Sequence, residues 1–203
     1  MKLLMKNYLL NNVFEIPEFK FDVKKLKHTY LNNKNIWATY GKGEKDTILP
    51  RKNSLHTKYV DKEDVIEHIS QIKDYENIID NIKFFKTCAK GSVTPHTDKR
   101  NVAINIPVEI NDSDEINFYE DDNSLEVDLQ VKEYNKKTNA KKYINPKLIE
   151  TFVSNKVFCL NTSAIHGIVN NSDKDRIILS ISFKGKYDDY NLIKDMYKNG
   201  QLI

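Results

Sequence analysis

Histidine and carboxylate side chains occur in this sequence at a spacing that suits a metal ion. His96 and Asp98 stand two residues apart in GSVTPHTDKR, and in a strand such residues point to the same face. His166, in NTSAIHGIVN, is the one histidine downstream of that pair. Two histidines and one carboxylate leave positions open on non-haem iron(II) for a chelating cosubstrate and dioxygen, whereas zinc prefers a nearly closed tetrahedron. His96, Asp98 and His166 are therefore the predicted metal ligands and catalytic centre.

An arginine makes this metal set more specific. With five histidines in the chain, a His-x-Asp pair alone arises by chance in roughly one third of such sequences. Arg176, however, stands ten residues after His166 and is one of only three arginines among 32 basic residues. A guanidinium offers a planar, two-pronged donor for a buried carboxylate, which lysine does not. Arg176 is therefore the predicted ligand of the far carboxylate of the cosubstrate.

Strand alternation adds candidates to this carboxylate site. In the β-type run RIILSISF, Ile178, Ser180 and Ser182 share a face with Arg176, so a serine hydroxyl can assist, and Ser180 is among the predicted cofactor-binding residues. Asn105 lies on the strand after the metal pair, on the face predicted to look into a barrel. Its amide either touches cosubstrate or substrate, or has a purely structural role.

Two further residues each have two interpretations. Tyr119 and Phe118 alternate in direction within INFYE, so one of them faces inward. Tyr119 either hydrogen-bonds the cosubstrate or fills the core. Arg100, four residues beyond His96, stands at the mouth of the predicted site, where it either binds an anionic group of the substrate or forms a surface salt bridge.

Helical patterns lie at the two ends of the chain. Residues 1–80 contain two predicted helices, DVKKLKHTYL and DKEDVIEHISQIKDY, the second with Asp61 as its N-cap. An apolar stripe on that second helix should pack against a sheet; its members are Val65, Ile66, Ile69 and Ile72. Residues 187–203 are predicted to form a closing helix that ends at Gly200.

Short β-type runs separated by polar turns occupy residues 81–186. They are IKFFKTCA, NVAINIPVEI, INFYE, LEVDLQV, KVFCLNT and RIILSISFKG. Long helical patterns do not alternate with these runs, which favours an antiparallel sandwich or jelly roll over a parallel sheet. DDNSLEVD is interpreted as a hairpin turn and KKTNAKKY as an exposed loop, with a lid over the site as the alternative for both. Trp37 and Tyr40 belong either to a loop over the substrate or to the core. We predict one mainly β domain with flanking helices, whose jelly-roll core packs against N-terminal helices.

Composition narrows the class of protein. A chain of 203 residues with 39% hydrophobic and 30% charged residues is typical of one globular domain. The net charge of only +3, with acidic and basic residues interspersed, makes a nucleic-acid partner unlikely, and we expect no membrane partner because no apolar run reaches the length of a span. Cys88 and Cys159 show neither a metal spacing nor a disulfide framework, which predicts a reducing, cytoplasmic location.

Three segments resemble the iron(II)/2-oxoglutarate dioxygenase superfamily, close to its small prolyl-hydroxylase-like and phage-type members. They are PHTDKRNVAINIP, INFYE and VFCLNTSAIHGIVNNSDKDRIILSISF, and the resemblance covers about residues 82–186. It implies a cupin-like double-stranded β-helix, with His96 and Asp98 just after the second core strand, His166 on the seventh and Arg176 on the eighth. It also implies hydroxylation of an aliphatic C–H bond of an amino acid, a peptidyl residue or a small metabolite. Iron(II), 2-oxoglutarate and dioxygen are the implied cofactors, and succinate and carbon dioxide are released.

The sequence departs from this superfamily at two places. Prolyl hydroxylases of this type commonly carry a tyrosine on the strand before the His-x-Asp pair, and the nearest equivalent here is Thr87 or Cys88. The nucleic-acid demethylase branch usually carries a second arginine shortly after the first, and RIILSISF has none, which disfavours nucleic-acid repair. The main alternative is a cupin-like metal-binding jelly roll without oxygenase activity, and a third is a vestigial site in a partner-binding protein.

Overall fold

The computed structural model of the chain describes residues 11–34, 38–40, 55–121, 125–131 and 136–203. Its strands are β1 (Val13–Glu15), β2 (Ala38–Tyr40), β3 (Leu55–Val60), β4 (Ile79–Thr87), β5 (Ser92–His96), β6 (Val102–Glu109), β7 (Asp114–Glu120), β8 (Leu125–Val131), β9 (Lys136–Ile144), β10 (Lys147–Phe152), β11 (Phe158–Asn161), β12 (His166–Asn170) and β13 (Arg176–Phe183). Its α-helices are α1 (Val23–Asn32), α2 (Ile66–Ile69), α3 (Tyr75–Ile78) and α4 (Tyr190–Lys198).

The strands form two antiparallel sheets. The first has the order β1-β11-β6-β13-β4-β3-β2, and the second has the order β10-β7-β12-β5-β9-β8. Within them, β4, β13, β6 and β11 face β10, β7, β12 and β5, and the chain passes repeatedly from one sheet to the other. This is a double-stranded β-helix, so the predicted jelly-roll fold with flanking helices is confirmed. β5, β12 and β13 are its second, seventh and eighth core strands.

Alternation along the central strands separates an outer apolar face from an inner, more polar one. Ile104, Ile106 and Leu179 are fully buried and belong to a large apolar cluster that includes residues of the helices, such as Leu26 and Ile193. The intervening positions on β6 and β13 face the second sheet. A second, smaller cluster fills part of the space between the sheets; its buried members are Val13, Ile116, Phe118, Phe158 and Leu160.

The predicted helix over DKEDVIEHISQIKDY is wrong in its continuity. The segment instead forms a 3-10 helix over Lys62–Val65, then α2 and, after a break, α3. The break contains Asp74, which adopts the left-handed φ of 58°, and Lys73, whose N–H donates to the carbonyl of Leu202. The tighter 3-10 winding shifts the helical phase, which leaves Ile66 47% exposed. The other three residues of the apolar stripe are fully buried, as predicted.

The first and last α-helices agree with the predictions made from the sequence. Asp22 caps α1 by accepting the N–H groups of Lys24 and Lys25, and Asp189 caps α4 in the same way. Gly200, with φ of 63°, follows the end of α4 as predicted. Among the described residues, no helix is long and apolar enough to span a membrane.

The segment KKTNAKKY was expected to be an exposed loop, and this is wrong. It lies in β9, which pairs with β8 and adds both strands to the second sheet beside β5. The second half of DDNSLEVD is likewise strand rather than turn, because residues 125–128 belong to β8. Trp37 lies outside the described residues, and Tyr40 is the last residue of β2.

Candidate metal centre

His96 and His166 lie directly opposite each other where β5 meets β12. Their ring centroids are 4.5 Å apart. Asp98 does not share a strand with His96, as alternation had suggested, because β5 ends at His96; Asp98 lies in the following loop, where its N–H donates to the carbonyl of Thr162 at 2.9 Å. The loop still brings the carboxylate to the imidazoles, with His96 Nε2 and Asp98 Oδ1 3.3 Å apart. One possible ligand atom from each residue lies within 4.8 Å of the others.

Backbone carbonyls orient both imidazoles in the same way. His96 Nδ1 lies 2.7 Å from the carbonyl oxygen of Thr94, and His166 Nδ1 lies 2.9 Å from that of Ala164. A carbonyl only accepts hydrogen bonds, so each Nδ1 carries a proton and donates it. In the neutral ring, each Nε2 then offers its lone pair to an ion among the three ligands; His166 is already neutral, and His96 must first lose a proton. Such fixed tautomers are typical of metal-binding histidines, so these residues fit a divalent metal ion.

Burial and neighbouring charges set the protonation of the three side chains. Burial opposes ionisation of Asp98, but hydrogen bonding to His96 and the charge of Arg100 more than offset it, so its pKa is well below the usual range. Burial lowers the pKa of His166 to about 4, and the neighbouring His96 contributes. Burial also works against protonation of His96, yet the hydrogen bond and charge of Asp98 leave its pKa raised. The site thus holds a carboxylate and a neutral imidazole, and a cation that binds there must displace the proton of His96.

Arg176 lies buried on the inner face of β13, opposite Thr87 on β4. Arg176 Nη1 and Thr87 Oγ1 are both buried and meet no hydrogen-bond partner in the part of the chain that the structure describes. Burial lowers the pKa of Arg176 to about 10, although the charge of Asp114 on the second sheet acts in the opposite direction. An unpaired buried guanidinium is costly, so this end of the barrel suits an added carboxylate.

Ser180 and Asn105 lie together on the inner face, between β13 and β6. They are register partners, both are buried, and Ser180 Oγ donates to Asn105 Oδ1 at 2.6 Å. This bond uses the serine proton, so the serine oxygen and the Asn105 amide N–H groups remain for a ligand or a structural partner. Ser182 donates instead to the carbonyl of Asn81.

The structure does not bring Tyr119 to these residues. Phe118 pairs with His166 and is fully buried between the sheets, so alternation directs Tyr119 to the opposite face of β7. There the tyrosine ring lies near Gly167. Of the two interpretations of INFYE, the phenylalanine is the one that faces inward, and cosubstrate binding by Tyr119 is not supported.

Arg100 lies beside the metal ligands. Its Nε donates to Asp98 Oδ2 at 3.1 Å, and its guanidinium carbon lies 5.2 Å from the centre of the Phe85 ring. Arg100 does form a salt bridge, but its partner is the candidate metal ligand Asp98 rather than an unrelated surface carboxylate.

One residue with a clear role escaped the sequence analysis. Asn170 ends β12, is buried, and places its amide nitrogen within 3.1 Å of the carbonyl oxygens of Thr87, Cys88 and Lys174. It thereby fixes the β4 end next to Arg176. The only signal in the sequence is the polar run NNS after the His166 strand, which is equally typical of a turn.

The sequence matches no protein-family model and no curated protein. Among solved structures, a 2OG-Fe(II) oxygenase family oxidoreductase from Burkholderia pseudomallei has a TM-score of 0.51 at 8% identity and covers 88% of this chain and 87% of its own. E. coli ycfD has a TM-score of 0.48 at 11% identity, with coverage of 95% and 54%.

Oxalate decarboxylases match a smaller part of the fold. The enzyme from Lactobacillus farciminis, solved as a formate complex, has a TM-score of 0.36 at 12% identity and covers 66% of this chain. This chain spans 30% of the length of that decarboxylase. At 8% identity, the similarity to the oxidoreductase from Burkholderia pseudomallei shows the fold alone.

Proposed function

We propose that this chain is an iron(II)- and 2-oxoglutarate-dependent dioxygenase that hydroxylates an aliphatic C–H bond of an amino acid, a peptidyl residue or a small metabolite. One observation carries the proposal: the same barrel holds a His-Asp-His set within 4.8 Å and, separately, a buried Arg176 whose Nη1 has no partner among the described residues. A metal-binding jelly roll without a cosubstrate would account for the first feature and would leave the second unexplained.

The donor set suits iron(II) better than a structural zinc ion. His96, Asp98 and His166 provide two nitrogens and one oxygen, which leaves open positions on an octahedral ion. Iron(II), 2-oxoglutarate and dioxygen together would supply the oxidising chemistry, in which one oxygen atom goes to the substrate and the other to succinate, with release of carbon dioxide. The protein would hold the ion, pair the far carboxylate and keep water out of the barrel.

The inner face offers separate contacts for the end and for the body of the cosubstrate. Arg176 and Thr87 would bind the carboxylate at one end, through the guanidinium fork and one hydroxyl. Asn105 and Ser180, tied to each other between that end and the start of β6, would contact the body of the molecule or the substrate. The fold similarity to a 2OG-Fe(II) oxygenase family member supports this arrangement as an oxygenase.

Anaerobic spectroscopy tests the proposal directly. Protein mixed with iron(II) and 2-oxoglutarate without dioxygen should develop a weak visible charge-transfer band. Arg176→Met should abolish the band, whereas Lys24→Gln, an exposed change on α1, should keep it. Admission of dioxygen should then yield succinate in the wild type and not in Asp98→Ala. If the wild type binds iron but shows no cosubstrate band, the cupin-like alternative without oxygenase activity holds instead.

A further inference from the structure

Arg100 is fixed beside the metal ligands with part of its guanidinium unused. Its Nε contacts Asp98, and its planar group lies against Phe85, which faces into the barrel from β4. No acceptor among the described residues contacts its two terminal nitrogens. The side chain is 20% exposed, so this free edge is accessible at the entrance. A clamped arginine with a free two-donor edge is pre-organised for an oxyanion.

The balance of charge indicates that Arg100 does more than orient Asp98. In the proposed complex, the charges of a divalent ion, Asp98 and the chelating carboxylate cancel, and Arg176 cancels the far carboxylate. Arg100 then remains as an uncompensated cation next to the position where the substrate must lie. A buried or half-buried positive charge is stabilised by an anion, and the substrate is the component still missing.

A second cation lies near Phe85, the ring that Arg100 contacts. Lys83 is two residues before Phe85 on β4, so the two side chains share the inner face. Its Nζ lies 4.4 Å from the centre of the Tyr59 ring. No described carboxylate forms an ion pair with Lys83, unlike Lys86 on the other face of the strand, which pairs with Asp175. The Phe85 ring therefore has Arg100 against it and a second cation two residues away on the same face of β4.

We propose that Arg100 binds a carboxylate of the substrate, with Lys83 adding positive charge, so that the substrate is a carboxylate-bearing small molecule. This inference rests on the proposed function and specifies its substrate class. A carboxylate is chosen because its two oxygens match the two free N–H donors at the edge of the guanidinium. A neutral substrate would bring no anion to the terminal nitrogens of Arg100 or to the Lys83 ammonium group.

Acids, amides and phosphates of the same chain length, compared on the intact protein, test whether the substrate carries a carboxylate. Protein loaded with Mn(II) and 2-oxoglutarate, which does not turn over, is melted with individual aliphatic and amino carboxylic acids, with their primary amides, and with alkyl phosphates of the same chain length. The same compounds are then tested for stimulation of succinate release by the iron(II) protein in air. Free acids should raise the Tm and stimulate release, and the amides and phosphates should do neither.

Variants of Arg100 and Lys83 test whether these two cations cause the stimulation by acids. Arg100→Gln should raise the acid concentration for half-maximal stimulation about 10- to 100-fold, and Lys83→Gln should raise it about 3- to 10-fold. Arg100→Lys, which keeps the charge without the fork, should fall between Arg100→Gln and the wild type. Lys24→Gln is the charge-matched control and should not change the concentration.

Three outcomes would overturn the assignment while leaving the proposed function intact. In the first, the protein binds 2-oxoglutarate, but no acid raises its Tm or stimulates succinate release. In the second, amides or phosphates have the same effect as the acids. In the third, neither Arg100→Gln nor Lys83→Gln changes the acid concentration for half-maximal stimulation. Failure of 2-oxoglutarate itself to raise the Tm of the Mn(II) protein would instead count against the proposed function.

Discussion

Thr87 and Arg176 lie directly opposite each other on β4 and β13, and each buries a polar atom that has no partner in the described part of the chain. Two such atoms at one register position are unusual, because buried donors and acceptors are nearly always paired in folded proteins. Asn170 holds the backbone next to them in place. The pair is the strongest structural sign that a ligand completes this end of the barrel.

Thr87→Val tests whether the hydroxyl serves a ligand or the fold. Valine keeps the shape and removes an unpartnered buried hydroxyl, so the free energy of unfolding without cosubstrate should stay equal or rise by up to about 1 kcal/mol. Loss of a hydrogen bond to a carboxylate should weaken 2-oxoglutarate binding about 10-fold. Urea unfolding and 2-oxoglutarate titration measure the two effects. A large loss of stability with unchanged 2-oxoglutarate affinity would show that the threonine is structural.

Arg176→Lys addresses the geometry of the same contact. Lysine keeps the charge but not the planar fork, so 2-oxoglutarate affinity should fall about 10- to 100-fold. If Thr87 and Arg176 bind one carboxylate, their contacts to it are coupled. The loss of 2-oxoglutarate affinity in the double variant Thr87→Val/Arg176→Lys should then be smaller than the sum of the losses in the two single variants. Strictly additive losses would indicate that the residues act on different groups.

The jelly roll and the inner positions of its long strands were predictable from the sequence. In RIILSISF and NVAINIPV, one face is wholly apolar and all the polar residues lie on the other, so only one orientation buries the apolar face against the helices. INFYE lacks this property, since Phe118 and Tyr119 suit either face equally well. Only the pairing of Phe118 with His166 decides between them, and such long-range register is not visible in a single sequence.

Other features depend on contacts that are distant along the chain. The unpartnered state of Thr87 exists only because β4 pairs with β13, and the contact of Arg100 with Asp98 depends on a loop that Thr162 holds. The segment from Asp61 to Tyr75 has a helical stripe, but its last turn is replaced by a contact between Lys73 and the C-terminal Leu202. Local propensity is overridden there by tertiary packing.

At pH values below the pKa of His96, metal binding should release about one proton rather than two. The pKa of His166 is lowered to about 4, so this imidazole is already neutral, whereas the pKa of His96 is raised and the metal must displace its proton. Metal affinity should therefore fall about tenfold per pH unit below the pKa of His96. A calorimetric Mn(II) titration across pH measures this slope. If the logarithm of Mn(II) affinity changed by two per pH unit above pH 5, or did not change with pH, the assigned protonation states would be contradicted.

Gly167→Ala should separate β12 from β5 and so disturb the metal centre. A methyl group at Gly167 would lie 2.9 Å from the carbonyl oxygen of Val93, a backbone atom of the strand that carries His96, and 3.3 Å from the Tyr119 ring. Because β12 and β5 pair through His166 and His96, a shift between them alters the distance between two ligands. Overpacking of this kind costs about 1 to 3 kcal/mol, so we expect a lower free energy of unfolding together with weaker Mn(II) binding.

Gly185→Ala provides the matched control for that change. Gly185 has φ of +59° and open space around its position for a methyl group, so alanine there costs about 1 kcal/mol through backbone strain alone. Its location after β13, outside the pairing of β5 with β12, should leave Mn(II) affinity unchanged. Chemical unfolding and Mn(II) titration of both variants separate the two causes. Equal Mn(II) affinity in the two variants would mean that the spacing between β5 and β12 does not control the metal centre.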